Sequence, residues 1–115
     1  MPRYVILEHD HPELHWDFML EAGERLRTWR LAAHPRPGQR VAAAPSFDHR
    51  LLYLDYEGPV SGDRGTVKRW DAGEYEADED DMASLRLDFR GRRLTGAARL
   101  EQRDGERWVF VSEPP

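Results

Sequence analysis

Along most of this chain apolar residues recur at every second position, and the runs are short. Leu85, Leu87 and Phe89 alternate with Arg86, Asp88 and Arg90. Trp16, Phe18 and Leu20 alternate with His15, Asp17 and Met19. Successive side chains on a strand point to opposite faces, so a period of two marks half-buried antiparallel strands. Tyr4 to Leu7, β-branched and apolar, predicts a first strand. His15 to Glu21 predicts a second and Arg25 to Leu31 a third, with a turn at Ala22-Gly23 between them. Thr66 to Trp70, Glu74 to Glu76, Leu85 to Phe89, Leu94 to Leu100 and Arg107 to Val111 follow the same rule. Turns are expected at Asp71-Ala72-Gly73, Gly91-Arg92 and Asp104-Gly105, the last a strong hairpin signal.

Three stretches break the pattern. His34-Pro35-Arg36-Pro37-Gly38 cannot extend a strand, because each proline lacks a ladder donor. Val41 to Ala44 favours helix by its alanines but ends at Pro45 after four residues. Asp78-Glu79-Asp80-Asp81 reads as a solvated loop or as the acidic first turn of a short helix through Ser84. The total is seven or eight short strands with one or two short helices. That spacing fits an antiparallel barrel or a sandwich, with no internal repeat and no linker to divide residues 1–115 into two domains.

Composition narrows the function. A formal charge of −5 argues against a generally basic nucleic-acid wrapper but leaves room for a local basic patch. Seven arginines between Arg86 and Arg107 read as a solvated outer surface. There is no cysteine, which removes disulfides and thiolate metal sites. No stretch reaches the ~20 apolar residues of a spanning helix, and the first residues carry no signal-peptide core. A cytoplasmic protein is expected, with no membrane partner.

The candidate chemistry lies in residues 9 to 17, His9-Asp10-His11-Pro12-Glu13-Leu14-His15-Trp16-Asp17. His15 and Asp17 are two apart and share a strand face. Pro12 favours a bend, and a folded-back hairpin brings His9 beside them. Two imidazoles and a carboxylate form a mixed N/O site, suited to Mn²⁺, Zn²⁺, Fe²⁺ or Ni²⁺ rather than Ca²⁺ or Mg²⁺. The same residues are compatible with a polar loop bearing surface histidines. Asp10 could orient His9 through its other ring nitrogen. Trp16, Trp29, Trp70 and Trp108 read as core rather than as stacking platforms, and His34 as a surface loop residue.

Four stretches, taken in order, resemble the 3′-phosphoesterase domain of bacterial DNA ligase D. They are Glu8-His9-Asp10 through His15-Trp16-Asp17-Phe18-Met19-Leu20-Glu21; Leu26-Arg27-Thr28-Trp29; Asp48-His49 through Tyr53 and Glu57-Gly58; and Gly65-Thr66-Val67 through Trp70-Asp71-Ala72-Gly73. Phe89 to Gly96 and Trp108 to Val111 are similar to that family's closing strands. The resemblance implies a mainly β fold, a small antiparallel β-barrel of seven or eight strands with one or two short helices. It implies a Mn²⁺-type metal, or another divalent transition metal such as Zn²⁺, held by His9, His15 and Asp17. It implies that His49 meets the phosphate and that Tyr53 orients it. The implied reaction trims a 3′-phosphate or 3′-ribonucleoside from DNA ends in end joining, beside a ligase or polymerase partner.

Two positions depart from the family pattern. Met19 stands where the signature has arginine, and Ala33 where it has lysine. Neither can grip a phosphate through a charge-assisted hydrogen bond. Arg27, Arg30, Arg40 and Arg64 are the candidates to replace them. The departures keep a second expectation open: a catalytically weakened metal-binding module that recognises nucleic-acid ends or a repair partner. A related phosphate ester is the alternative substrate.

Overall fold

The computed structural model describes residues 1–81 and 83–114. Among these residues nine strands run β1 Arg3–His9, β2 His15–Ala22, β3 Arg25–Leu31, β4 Arg40–Arg50, β5 Gly58–Pro59, β6 Thr66–Asp80, β7 Ser84–Gly91, β8 Thr95–Asp104 and β9 Arg107–Ser112. All pairings are antiparallel, in the order β1-β2-β3-β4-β9-β8-β7-β6. Pairing of β1 with β6 closes these eight strands into a barrel. The two-residue β5 adds to β6 outside the closure. The helical content among the described residues is one 3₁₀ turn, Leu51–Leu54. The barrel expectation holds, with eight strands and one short helical turn. No helix of the described residues is long and apolar enough to cross a membrane.

All eight closing strands send alternate residues into one apolar cluster, which therefore fills the barrel. Ile6, Phe18, Leu31, Leu87, Leu100 and Phe110 are among its fully buried members. A second apolar cluster lies on the outer face of β1, β2, β3 and β6. It joins Val5, Leu7, Met19, Leu26 and Val67 to Leu54 of the 3₁₀ turn, with Leu51, Tyr53, Tyr56 and Val60 packed against it. Residues 51–65 thus cover one patch of the barrel's outside.

Two local expectations are corrected and one open assignment is decided. Val41–Ala44, ambiguous in the sequence, is strand: Val41 and Ala43 face the barrel interior and pair with β9. Burial on alternating positions outweighs alanine's modest helix preference. Asp71-Ala72-Gly73 is not a turn but the middle of the 15-residue β6. Buried Asp71 accepts the Tyr4 hydroxyl at 2.6 Å and the backbone N–H groups of Arg92, Arg93 and Leu94 at 2.9–3.0 Å. It therefore fixes the distant β7–β8 turn, and burial beside the carboxylate pushes the Tyr4 hydroxyl's pKa up. Gly91 is needed beside it, because a Cβ there would stand 1.7 Å from the Tyr4 hydroxyl oxygen. The acidic run forms no helical turn: β6 continues through Asp80, and Asp81 caps the following turn by accepting from Ala83 and Ser84 at 2.8 Å. Met82, within the span of that alternative helix, lies outside the described residues.

Candidate metal centre

The β1–β2 hairpin builds the centre. His9 pairs directly with His15, and Leu7 with Asp17, so these residues share the outer face. Each imidazole is oriented by a backbone carbonyl. His9 Nε2 lies 2.8 Å from the Arg64 carbonyl, and His15 Nδ1 lies 2.8 Å from the Glu13 carbonyl. A carbonyl only accepts, so these nitrogens carry the hydrogens and donate. That leaves His9 Nδ1 and His15 Nε2 as the free nitrogens. Both face Asp17, at 3.5 Å from Oδ2 and 3.2 Å from Oδ1. The three potential ligand atoms lie within 4.8 Å of one another.

With their outer nitrogens tied to carbonyls, the two imidazoles turn their inner nitrogens and Asp17 its oxygens toward one point. The donor set fits a metal ion by its own chemistry: two imidazole nitrogens, one carboxylate oxygen, and both outer N–H groups tied down. His15 and Asp17 are buried and His9 half-buried, which shields the set from competing water. The backbone around it is braced. Asp10 does not orient His9, as its position suggested; its Oδ1 accepts the Thr66 N–H at 2.8 Å and ties the hairpin to β6. That contact requires Gly65, with φ +74°, because a Cβ there would come within 2.2 Å of the same oxygen.

A cavity of about 430 Å³ opens beside the triad, lined by His9, Asp17, Met19, Arg30, His49, Tyr53 and Arg64 among others. His49 lies at the end of β4, just before the 3₁₀ turn. Its Nδ1 is 2.9 Å from Thr28 Oγ1 and 3.0 Å from the Phe47 carbonyl. The Thr28 hydroxyl donates its one hydrogen to the Leu26 carbonyl at 3.0 Å, so it accepts from His49. Nδ1 therefore carries a hydrogen, and Nε2 is the free nitrogen. Burial lowers the His49 pKa, against the opposing pull of Asp17 and the Phe47 carbonyl, so the ring is neutral at neutral pH. The ring stacks on exposed Phe47 at 4.6 Å and meets the edge of Tyr53 at 5.6 Å. Tyr53 in turn packs on Tyr56, whose hydroxyl donates to the Pro59 carbonyl.

All five residues singled out in the sequence thus come together: His9, His15 and Asp17 in the triad, His49 and Tyr53 across the cavity. Met19 lines the cavity from beneath but is 1% exposed, embedded in the outer apolar cluster. Ala33 is exposed and lines no part of this cavity. Of the four arginines considered as substitutes, Arg30 and Arg64 line it. Arg27 instead lies over the Trp29 ring at 5.2 Å. His34 lies in the loop after β3 as expected, but half-buried: it stacks on Trp70 at 5.4 Å and meets Trp16 at 5.7 Å. Sequence reasoning assigned no role to Thr28. A threonine in a strand carries no signal of a histidine twenty-one residues away.

Residues 7–102 match the family model of the DNA Ligase D 3′-phosphoesterase domain. The chain is 30% identical over 92% of its length to the multifunctional non-homologous end joining DNA repair protein LigD of Mycobacterium tuberculosis. It is 33% identical over 72% of its length to the multifunctional non-homologous end joining protein LigD of Pseudomonas aeruginosa. It spans 15% and 10% of the lengths of those two relatives. A match over most of the barrel, including every strand that builds the triad, shows that this chain belongs to the DNA Ligase D 3′-phosphoesterase domain family.

Proposed function

We propose that the protein is a divalent-metal-dependent phosphoesterase that trims 3′ ends of DNA, removing a 3′-phosphate or a 3′-ribonucleoside, in end-joining repair. The observation that carries this reading is the convergence of His9 Nδ1, His15 Nε2 and an Asp17 oxygen beside a cavity that His9, Asp17, His49 and Tyr53 line. Mn²⁺ is the proposed ion. A divalent metal held there would neutralise charge on non-bridging phosphate oxygens and acidify a water. His9 and His15 are held for ligation by the Arg64 and Glu13 carbonyls. His49, neutral and with Nε2 free, can take a proton from water or, once protonated, hydrogen-bond a phosphate oxygen. The Tyr53 hydroxyl can donate to the same group. The part-buried setting strengthens each of these interactions relative to open water.

The test is phosphate release from a primer-template ending in a 3′-phosphate, with added Mn²⁺. Wild type should turn over, and His49→Ala and Asp17→Ala should each lose most of the rate. A second reading, a metal-binding module that recognises ends without cutting them, draws on uncharged Met19 and Ala33 at the family's two cationic positions. Tight end binding and Mn²⁺ binding with no release of phosphate or ribonucleoside would select it.

A further inference from the structure

Met19 and Ala33 leave the question of what cation meets the phosphate. Arg30 pairs directly with Asp17 across β2 and β3, and with Ala44 across β3 and β4. Directly paired residues in an antiparallel sheet have Cβ atoms about 5 Å apart on one face, so the exposed Arg30 stem rises beside the triad. Arg64 already donates to the Ser61 carbonyl at 2.7 Å and to Ser61 Oγ at 3.3 Å. Arg30 makes no hydrogen bond or ion pair among the described residues.

Arg30 also stands where two cavities meet. Beyond it, and sharing it and Pro12 with the first cavity, runs a groove of about 780 Å³ over the outer faces of β3, β4 and β9. Its floor is Ala32, Ala42 and Ala44. Outward strand positions are normally filled by long polar side chains. Here, in a chain that is 34% charged, the outward β4 positions Ala42 and Ala44, with Ala32 just past the end of β3, hollow out a trough. Its cations are Arg30, Arg103 and Arg107, and its anions Glu13 and Glu106. Arg103 makes no hydrogen bond or ion pair among the described residues. Arg107 meets Asp104 at 3.4 Å through an exposed, easily exchanged contact. On a protein of net charge −5, a trough whose three arginines outnumber its two glutamates, with Arg30 and Arg103 unpaired among the described residues, suits a chain of phosphates.

We propose that Arg30 is the cation that grips the phosphate at the centre, and that the alanine-floored groove carries the nucleic-acid strand leading to that 3′ end. Arg103 and Arg107 hold phosphates further along it. This rests on the phosphoesterase reading for the identity of the site but is tested by binding, independently of turnover.

The probes are a fluorescent single-stranded oligonucleotide with a 3′-phosphate, titrated across salt concentrations, and inorganic phosphate with Mn²⁺-loaded protein. Arg30→Ala should weaken both by about ten-fold or more, with partial rescue in Arg30→Lys. Arg103→Ala with Arg107→Ala should weaken the oligonucleotide alone. It should also flatten the slope of log affinity against log salt by about 1.4, the value for two lost single-strand phosphate contacts. A charge-matched control, Arg86→Ala with Arg92→Ala, alters arginines that line neither cavity and should leave slope and affinity near wild type. Equal losses in control and groove variants would overturn the track. Unchanged phosphate binding in Arg30→Ala would overturn the grip. If wild type trims 3′ ends while all arginine variants bind and trim normally, the inference falls and the phosphoesterase reading stands. If no variant or wild type trims, yet binding follows the groove as expected, the inference stands and that reading falls.

Discussion

The two faces of β2 are built from adjacent residues and do opposite things. Inward, Phe18 and Leu20 meet other rings and aliphatic chains from all sides, Phe18 lying 5.3 Å from Phe110 and 5.8 Å from Phe89. Outward, His15, Asp17 and Met19 are just as buried, yet two of them are polar. The inner face is dry because a closed barrel has no other side. The outer face is buried because residues 51–65 pack over it, and it opens only into the cavity that Asp17 and Met19 line. A buried polar group needs partners, and the outer face supplies them as carbonyls, a threonine and a candidate metal. The inner face therefore provides rigidity, and the outer face turns it into fixed donor atoms.

The largest effect expected from breaking this contrast is on the inner face. Phe18→Ala removes a fully buried ring from the middle of an aromatic cluster and should cost about 3–5 kcal/mol. For a domain of this size that lowers the melting temperature by roughly 15 °C or more, measured by thermal circular dichroism. A drop of only a few degrees would mean that the barrel interior is not the seat of stability.

Met19 sharpens the comparison from the other side. Sequence resemblance implies that arginine at this position improves phosphate binding. Burial implies that a guanidinium there must first be accommodated among Val5, Leu7, Leu26 and Leu54. Met19→Arg should cost on the order of 3 kcal/mol, whereas Met19→Leu, which conserves volume, should cost less than about 1.5 kcal/mol. Denaturant unfolding of the pair decides it. Equal stability of the two variants would show that the outer cluster is loose and that the cavity admits the charge.

The two faces were unequally legible in the sequence. Period-two alternation marks β2, β3, β7 and β9 because one face of each is buried and apolar. It left Val41–Ala44 undecided, because what makes these small residues a strand is their pairing with Val109 and Trp108, a tertiary fact. It divided β6 at Asp71, because Asp-Ala-Gly is turn chemistry when read locally. The partner turn at Arg92–Leu94 lies more than twenty residues away. At the site, residue types and spacing pointed to His9, His15 and Asp17, and resemblance added His49 and Tyr53. The groups that aim them are mostly backbone atoms, the carbonyls of Glu13, Phe47 and Arg64, which side-chain identity does not encode. Burial of Met19 was hidden for the same reason: strand alternation assigns the face and says nothing of what covers it.

On the outer face, Asp17→Ala should separate binding from folding. It removes the one anionic ligand of the triad, so Mn²⁺ affinity measured by calorimetry should fall about a hundred-fold or more, beyond the loss typical of an outer partner. Stability without metal should change by about 1 kcal/mol or less, since Asp17 faces away from the apolar cluster that fills the barrel. Wild-type-like Mn²⁺ binding would remove the triad as the metal site.

The smallest effect concerns His49 and is read from pH. Burial sets its folded pKa below the unfolded value of about 6.5. The unfolded chain then takes up the proton first as pH falls. The stability tied to the neutral ring is fully present above the unfolded pKa and is lost as pH drops below it toward the folded pKa. His49→Gln cannot titrate. In buffer containing a chelator, its melting temperature should fall less than that of wild type between pH 7 and pH 5, and the two should run parallel above pH 7. Thr28→Val removes the oxygen that accepts from Nδ1 while keeping the shape of the side chain. It leaves the Phe47 carbonyl as the remaining acceptor, so the ring should protonate at still lower pH and turn more freely about its stem. Ring proton shifts followed across the titration measure both. If Thr28→Val leaves the His49 titration and line widths unchanged, the threonine does not orient the ring, and the outer face positions His49 by packing on Phe47 and Tyr53 alone.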